Sequence, residues 1–348
     1  MPLKPITIIG GGLAGLTLGI GLRQQSIPVQ ICETGSYPRH RVCGEFISGR
    51  GQDTLRQLGL FQPILASGAL AAKTASFFWR TKRFPPRALP QTALCVSRFT
   101  LDALLAKTFV ELGGHLRCRT RWTRSDGAPL EGIVRARGRR AANHTQSWRW
   151  FGVKAHARSV PLQADLELHA HEDGYVGLCR LPEGETNVCG LFRHRTGTND
   201  APKAVVERLA GPEGSILHQR LSDAEWDQES FCTVGGLSFD LGRAVYSGEF
   251  CIGDTVTMIP PFTGNGMSMA LESAELALPE LLSWSRGEIQ WETAWQTTAK
   301  TLDAAFARRL WWANLVQKTL FCPVARICLF PLGLRLEACW QFLFERTR

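Results

Sequence analysis

The chain has 348 residues, 44% hydrophobic and 20% charged, which excludes a disordered protein and suffices for one large domain or two modest ones. Its formal net charge of +9 is mostly arginine, scattered apart from a cluster at Arg135, Arg137, Arg139 and Arg140, and no nucleic-acid-binding signature accompanies it. The 11 cysteines form no Cys-x-x-Cys pair and lie mostly in apolar stretches (Cys32, Cys95, Cys189, Cys251, Cys328), which argues against a disulfide framework or zinc site and for a reducing, cytoplasmic setting.

Ile6 to Ile9 is a short apolar run of the kind that forms a buried parallel strand, and because the chain enters it almost at once no secretory signal is expected. Glycines follow at Gly10, Gly12 and Gly15, and Leu16 to Leu22 carries a helix-compatible apolar pattern. Val29 to Cys32 reads as a second strand ending at Glu33. Strand, tight turn, helix, strand and acid within about 30 residues make a dinucleotide-binding fingerprint. Gly10 permits the turn, Gly12 lets backbone N–H groups approach a pyrophosphate, and Gly15 allows close helix–strand packing. Leu13 and Ala14 open the helix whose positive end faces the phosphates, while Glu33 accepts from the adenosine ribose.

Further on, Arg41-Val42-Cys43-Gly44-Glu45-Phe46-Ile47-Ser48 brings a thiol and a carboxylate close together, with His40 beside them, and Arg98 opens a helix that continues through Leu101 and Leu105. The middle third alternates like an antiparallel sheet, with strands at Trp148–Val153, Leu166–His169 and Gly174–Leu178. His169 and His171 read as solvent-facing strand residues, and no metal site is expected. Cys251-Ile252-Gly253-Asp254 reads as a strand end, and Pro260 and Pro261 precede a loop with Gly264, Asn265 and Gly266 and a helix from about Met267. Trp311, Trp312, Leu315, Val316, Leu320 and Phe321 fall at helical spacing, the pattern of core packing. With Ile327, Phe330, Trp340 and Phe342 they make the alternative of a cap over a hydrophobic pocket or a surface resting on a membrane. Pro323, Arg326, Pro331 and Arg335 interrupt this stretch as a spanning helix.

Taken together, these segments resemble the FAD-dependent oxidoreductases of the p-hydroxybenzoate hydroxylase-like and geranylgeranyl reductase-like superfamily, from Thr7 to about Ala277. The resemblance implies FAD bound by Gly10, Gly12, Leu13, Ala14, Gly15, Glu33, Arg41, Cys43, Arg98, Gly253, Asp254, Pro261, Gly264, Asn265, Gly266 and Met267. In it Asp254 meets the ribityl chain and Arg98 the pyrophosphate or ribityl region. The Cys-Gly-Glu stretch passes beside the isoalloxazine, which makes Cys43 and Glu45 the catalytic candidates. The implied fold is α/β with an α+β substrate part. A glutathione-reductase-type, Rossmann-like FAD domain spans residues 1–70, 91–145 and 241–285, an antiparallel substrate domain 71–90 and 146–240, and a helical C-terminal region 286–348.

The chain also departs from the superfamily. Arg137, in Arg135-Ala136-Arg137-Gly138-Arg139, stands where relatives carry the Asp of an Asp-Gly pair, and Asp126-Gly127 reads as a turn. Gly177 replaces the Trp of the reductase motif in Tyr175 to Pro182. Trp148 and Trp150 are spaced as in flavin-dependent halogenases, and Lys73 lies in the region of their active-site lysine, but Phe151 to Lys154 lacks their Ile-Pro. The implied activity is a monooxygenase acting on an aromatic or hydrophobic small molecule. The alternative is a geranylgeranyl reductase-type ene-reductase or dehydrogenase on a prenyl or long-chain substrate; a halogenase and a non-catalytic flavin protein are minor ones. NAD(P)H or a reductase partner is the expected electron donor, a choice that Arg137 leaves open. No nucleic acid and no obligate protein partner are expected.

Overall fold

The computed structural model describes residues 2–124, 130–139, 148–195, 207–325 and 336–348. Asp126-Gly127, Arg140, Arg326, Ile327, Cys328, Phe330, Pro331 and Arg335 lie outside them. In chain order, β1 (Ile6–Ile9), α1 (Leu13–Gln24) and β2 (Val29–Cys32) come first, both strands at the bounds their apolar runs imply. A short β3 (Phe46–Ile47) leads into α2 (Arg50–Gln57) and α3 (Phe61–Ala66). Then come β4 (Leu70–Trp79), β5 (Lys82–Arg83), β6 (Arg87–Cys95), α4 (Arg98–Glu111), β7 (His115–Arg117) and β8 (Ile133–Arg135). The middle third holds β9 (Trp148–Arg158), β10 (Leu166–His171), β11 (Gly174–Arg180), β12 (Thr186–Arg195), α5 (Ile216–Leu221) and β13 (Glu225–Leu237). Later in the chain come α6 (Gly266–Ser285), α7 (Trp291–Phe321) and α8 (Glu337–Arg346).

The architecture is mixed α/β. β7, β2, β1 and β8 form a parallel sheet in that order, with Ile8 opposite Ile31 on β2 and Val134 on β8. Leu16, Leu18, Ile20 and Leu22 of α1 are fully enclosed, because α4 and α6 pack against this helix. Each such side chain contributes about 1.5–3 kcal/mol of burial before entropy is counted. The second sheet runs β13-β9-β12-β11-β10-β4-β6-β3, with β5 on β4; β10 and β4 pair in parallel and its other pairs are antiparallel. Val153, Ala155, Val188 and Phe192 on its outer face bury against Leu217 and Leu221 of α5. Its inner face turns toward the nucleotide-binding part.

Three local expectations change. His169 is not solvent-facing: it is buried, stacked on Phe78 at 4.3 Å, with Nε2 2.9 Å from Glu167. Cys251-Ile252 forms no strand beyond one bridge from Cys251 to Arg135, since Gly253 at φ +60° turns the chain away. The C-terminal stripe is only partly core, because Trp311 is 55% and Leu315 40% exposed while Leu320 and Phe321 are buried. Among the described residues no helix is long and apolar enough to cross a membrane.

Candidate active site

A cavity of about 1510 Å³ starts at the β1–α1 turn, passes the Cys43-Gly44-Glu45 loop and ends under α7 and α8. It exceeds the roughly 300–1,000 Å³ of a pocket for one small ligand. At its start Gly10 has φ +108°, and a Cβ there would stand 2.3 Å from the Ala136 carbonyl oxygen. A Cβ on Gly12, the N-cap of α1, would meet nothing within 4 Å. The first turn of this buried helix is therefore open to the cavity, a ready anion site. Glu33 accepts from Gly11 N and Gly35 N, each at 2.8 Å, and pairs with Arg39 at 2.9 Å. Burial pushes its carboxyl up, but these donors outweigh burial and hold it below the usual range, ready to accept from hydroxyls.

Arg98 starts α4 because Ser97 Oγ caps the helix by accepting from Phe99 N. One turn on, the buried Asp102 holds the Arg98 guanidinium through two bonds, at 2.7 and 2.8 Å, and Arg41 Nε lies 3.2 Å from the same carboxylate. Burial works against the Arg98 charge, yet Asp102 keeps its pKa above the ordinary value. Cys43 is kept a neutral thiol by burial, despite Arg98 nearby.

Of the sequence-derived positions, Gly10, Gly12, Leu13, Ala14, Glu33, Arg41, Cys43, Glu45, Arg98, Asp254, Pro261, Gly264, Gly266 and Met267 border the cavity. Gly15, Gly253 and Asn265 act behind it. A Cβ on Gly15 would stand 2.0 Å from Gly10 O, and Gly253 N donates to Ser273 Oγ at 3.0 Å. Asn265 Nδ2 donates to Thr347 O at 2.6 Å, latching the chain just beyond α8 onto the loop before α6. Gly138 N donates to Thr255 Oγ1, so the Arg137-Gly138 segment does sit beside the Gly253-Asp254 turn, and Arg137 and Arg139 border the cavity.

Burial pushes the Asp254 carboxyl up to about 6, against the pull of Arg98 and Arg139. Below its ordinary value of 3.8 it is protonated folded or unfolded; as pH rises from there to about 6 the unfolded chain ionises first and the apoprotein loses stability. Asp254→Asn is expected to flatten that decline and to raise the apoprotein's melting temperature by a few degrees at neutral pH. It should also weaken FAD binding about tenfold, through the lost charged acceptor. Thermal unfolding across pH with FAD titration checks this; a wild-type pH profile removes the role.

Sequence reasoning missed the partners of Glu45. Its carboxylate is fully enclosed: Oε1 accepts from Arg98 N at 2.9 Å and lies 3.3 Å from Lys154 Nζ, and Oε2 is 2.7 Å from His156 Nε2. Burial raises its pKa, but the His156 bond and the Lys154 charge outweigh that and hold it below the usual range. Glu45 has φ +60°, a strained conformation for a non-glycine that these bonds hold in place. Lys154 Nζ also lies 3.0 Å from His40 Nδ1, and burial with the Lys154 charge pushes His40 down to about 4. The available signal was the alternation of Lys154 and His156 with apolar residues along β9. Lys73, by contrast, is exposed and does not border the cavity; its backbone N donates to Asp165.

The far end of the cavity is apolar, with Phe77, Leu168, Leu191, Phe262, Trp312, Val316, Trp340 and Leu343 on its walls. Tyr175 joins them edge-on to Phe262; its hydroxyl is buried and has no hydrogen-bond partner among the described residues. Burial holds that phenol well above its ordinary pKa, so it is a neutral donor.

Residues 4–147 match the protein family described as an FAD binding domain. Residues 4–147 are thus an FAD-binding domain. No curated protein sequence matches it. Its fold is similar to that of the flavin-dependent brominase Bmp2, at 16% identity and TM-score 0.79 over 100% of this chain and 93% of that one. A geranylgeranyl bacteriochlorophyll reductase-like protein from Thermoplasma acidophilum is similar at 14% identity and TM-score 0.74, over 99% and 97%. The flavin-dependent monooxygenase PieE is similar at 16% identity and TM-score 0.72, over 92% and 65%. The residues present fit FAD: the open helix end at Gly12 suits a pyrophosphate, ionised Glu33 a ribose, and Asp254 a ribityl chain. Bound there, FAD would supply the two-electron chemistry.

Proposed function

We propose that this flavoprotein is a monooxygenase acting on a hydrophobic, aromatic small molecule that carries one oxygen acceptor. The observation that carries the reading is the apolar chamber continuous with the FAD groove, in whose wall the buried Tyr175 phenol has no hydrogen-bond partner among the described residues. An aromatic wall excludes water, and a buried phenol without a partner favours a substrate able to satisfy it. Trp312 and Val316 of α7 and Trp340 and Leu343 of α8 close the chamber. The reductant is NAD(P)H or a reductase protein, and Arg137 and Arg139 offer the anionic donor a positive approach.

The test is turnover of phenolic and polycyclic aromatic compounds by the FAD-loaded chain under labelled oxygen. Label in the product, with oxygen consumed in step, is expected. Turnover without oxygen sinks the reading and favours the second one, reduction of a prenyl or long-chain double bond. That alternative is supported by the same apolar walls and by the Cys43-Gly44-Glu45 segment at the cavity. A brominated product formed only with added bromide would instead favour a halogenase, which the exposed Lys73 argues against.

A further inference from the structure

We propose that His40, Lys154, Glu45, His156 and Glu185 form a proton path joining the cavity to solvent across the antiparallel sheet. The inference rests on the flavin reading of the cavity for its use, but not for its geometry. At the inner end His40 borders the cavity, stacked on Phe99 at 4.6 Å, with Nδ1 3.0 Å from Lys154 Nζ. An ammonium can only donate, so His40 Nδ1 accepts, and its remaining proton is on Nε2. Lys154, fully enclosed, lies 3.3 Å from Glu45 Oε1, and Glu45 Oε2 is 2.7 Å from His156 Nε2. The other nitrogen of His156, Nδ1, lies 3.5 Å from Glu185 Oε2. Glu185 is 30% exposed, outside the cavity wall, with the exposed Arg158 3.5 Å from its Oε1.

The last link separates this arrangement from a clasp that merely pins the Cys43–Glu45 loop to β9. Lys154 already compensates the Glu45 charge, and a clasp needs nothing on the solvent side of His156. A second carboxylate there gives the imidazole a proton source on one nitrogen and an acceptor on the other, the arrangement of a relay.

Transfer inward begins when His40 gives its Nε2 proton to a group in the cavity and takes one at Nδ1 from Lys154. His156, taking a proton at Nδ1 from Glu185, passes its Nε2 proton to Glu45 Oε2; the Glu45 carboxyl turns to bring that proton to Lys154 Nζ, and Glu185 is reprotonated from solvent. Only N–H and O–H bonds change, no electrons move, and one proton passes from solvent to cavity.

The test uses the full chain loaded with FAD, photoreduced without oxygen and then mixed with oxygenated buffer in H₂O and D₂O. In that reoxidation the reduced flavin anion, O₂ and one proton yield oxidised flavin and hydrogen peroxide, so no substrate is needed. Glu185→Gln, outside the cavity wall, and His156→Gln, which keeps a donor toward Glu45, are both expected to slow it about tenfold. Both should raise the solvent isotope effect, and added imidazole should restore the rate in His156→Gln. Wild-type rates and isotope effects in both variants overturn the path. A second readout needs no flavin: ¹⁵N-histidine NMR of the apoprotein should show His40 as the Nε2–H tautomer, with the Nδ1 signal displaced in Lys154→Met. An Nδ1–H tautomer overturns the path even if FAD binds normally. A chain that takes up no FAD would instead defeat the flavin reading while leaving the NMR arm standing.

Discussion

Gly10→Ala is expected to abolish FAD binding and to destabilise the fold by about 3 kcal/mol or more. Two costs coincide at this position. The backbone sits at φ +108°, which a side chain opposes, and the new Cβ would lie 2.3 Å from Ala136 O and 2.7 Å from the carbonyl carbon. Both neighbours are backbone, so no rotamer change relieves the contact. Relief requires the end of β8 to move off β1, but Ala136 N donates to Ile9 O at 2.8 Å, and the next residues carry Arg137 and Gly138 to the cavity. Gly12→Ala separates the two effects. Its φ of −83° suits any residue and its Cβ position is open, so stability should hold while the methyl group intrudes where the pyrophosphate approaches. Thermal unfolding and flavin-fluorescence titration of the two variants make the comparison. A Gly10→Ala chain that melts and binds like wild type would remove the structural role assigned to this turn.

The legible part of this molecule was the part whose signals are local. β1 and β2 were readable because both strands are largely buried, leaving four-residue runs that are apolar at all positions but Thr7 and Gln30. The glycine turn was readable because its steric demand is met by residue type alone. What escaped is held by partners far apart in sequence. Glu45 meets His156 across 111 positions, and Asn265 meets Thr347 across 82, with no local trace of either pairing. β9 was expected over Trp148–Val153 but runs on to Arg158, and Lys154 and His156 in that extension face the site from the sheet's inner side. His169 was misjudged for the mirror reason: a polar residue on a strand signals solvent unless a buried carboxylate such as Glu167 waits beside it. Helix α8 lies in a region whose composition fits core, lid and membrane surface alike, and only the fold shows that Trp340 and Leu343 line the cavity.

Asp102 carries the second large expected effect, because one enclosed carboxylate compensates two arginines that border the FAD groove. Arg98 lies one helical turn before it and makes both bonds of a bidentate pair, while Arg41 reaches it from the Cys43 loop. Asp102→Ala leaves the Arg98 guanidinium, 11% exposed, with its principal counter-charge gone. Breaking a buried pair from one side costs about 3–5 kcal/mol. Ligand at a hundredfold its dissociation constant adds about 2.7 kcal/mol to any chain that binds it, wild type included, so the loss is read in the apoprotein. Removing the stranded charge as well makes the decisive comparison. Asp102→Ala with Arg98→Met should be more stable than Asp102→Ala alone, because the penalty lies in the uncompensated cation and not in the missing carboxylate. If the double variant is instead the less stable of the two, Arg98 is held mainly by packing, and its charge is free for the cofactor without Asp102.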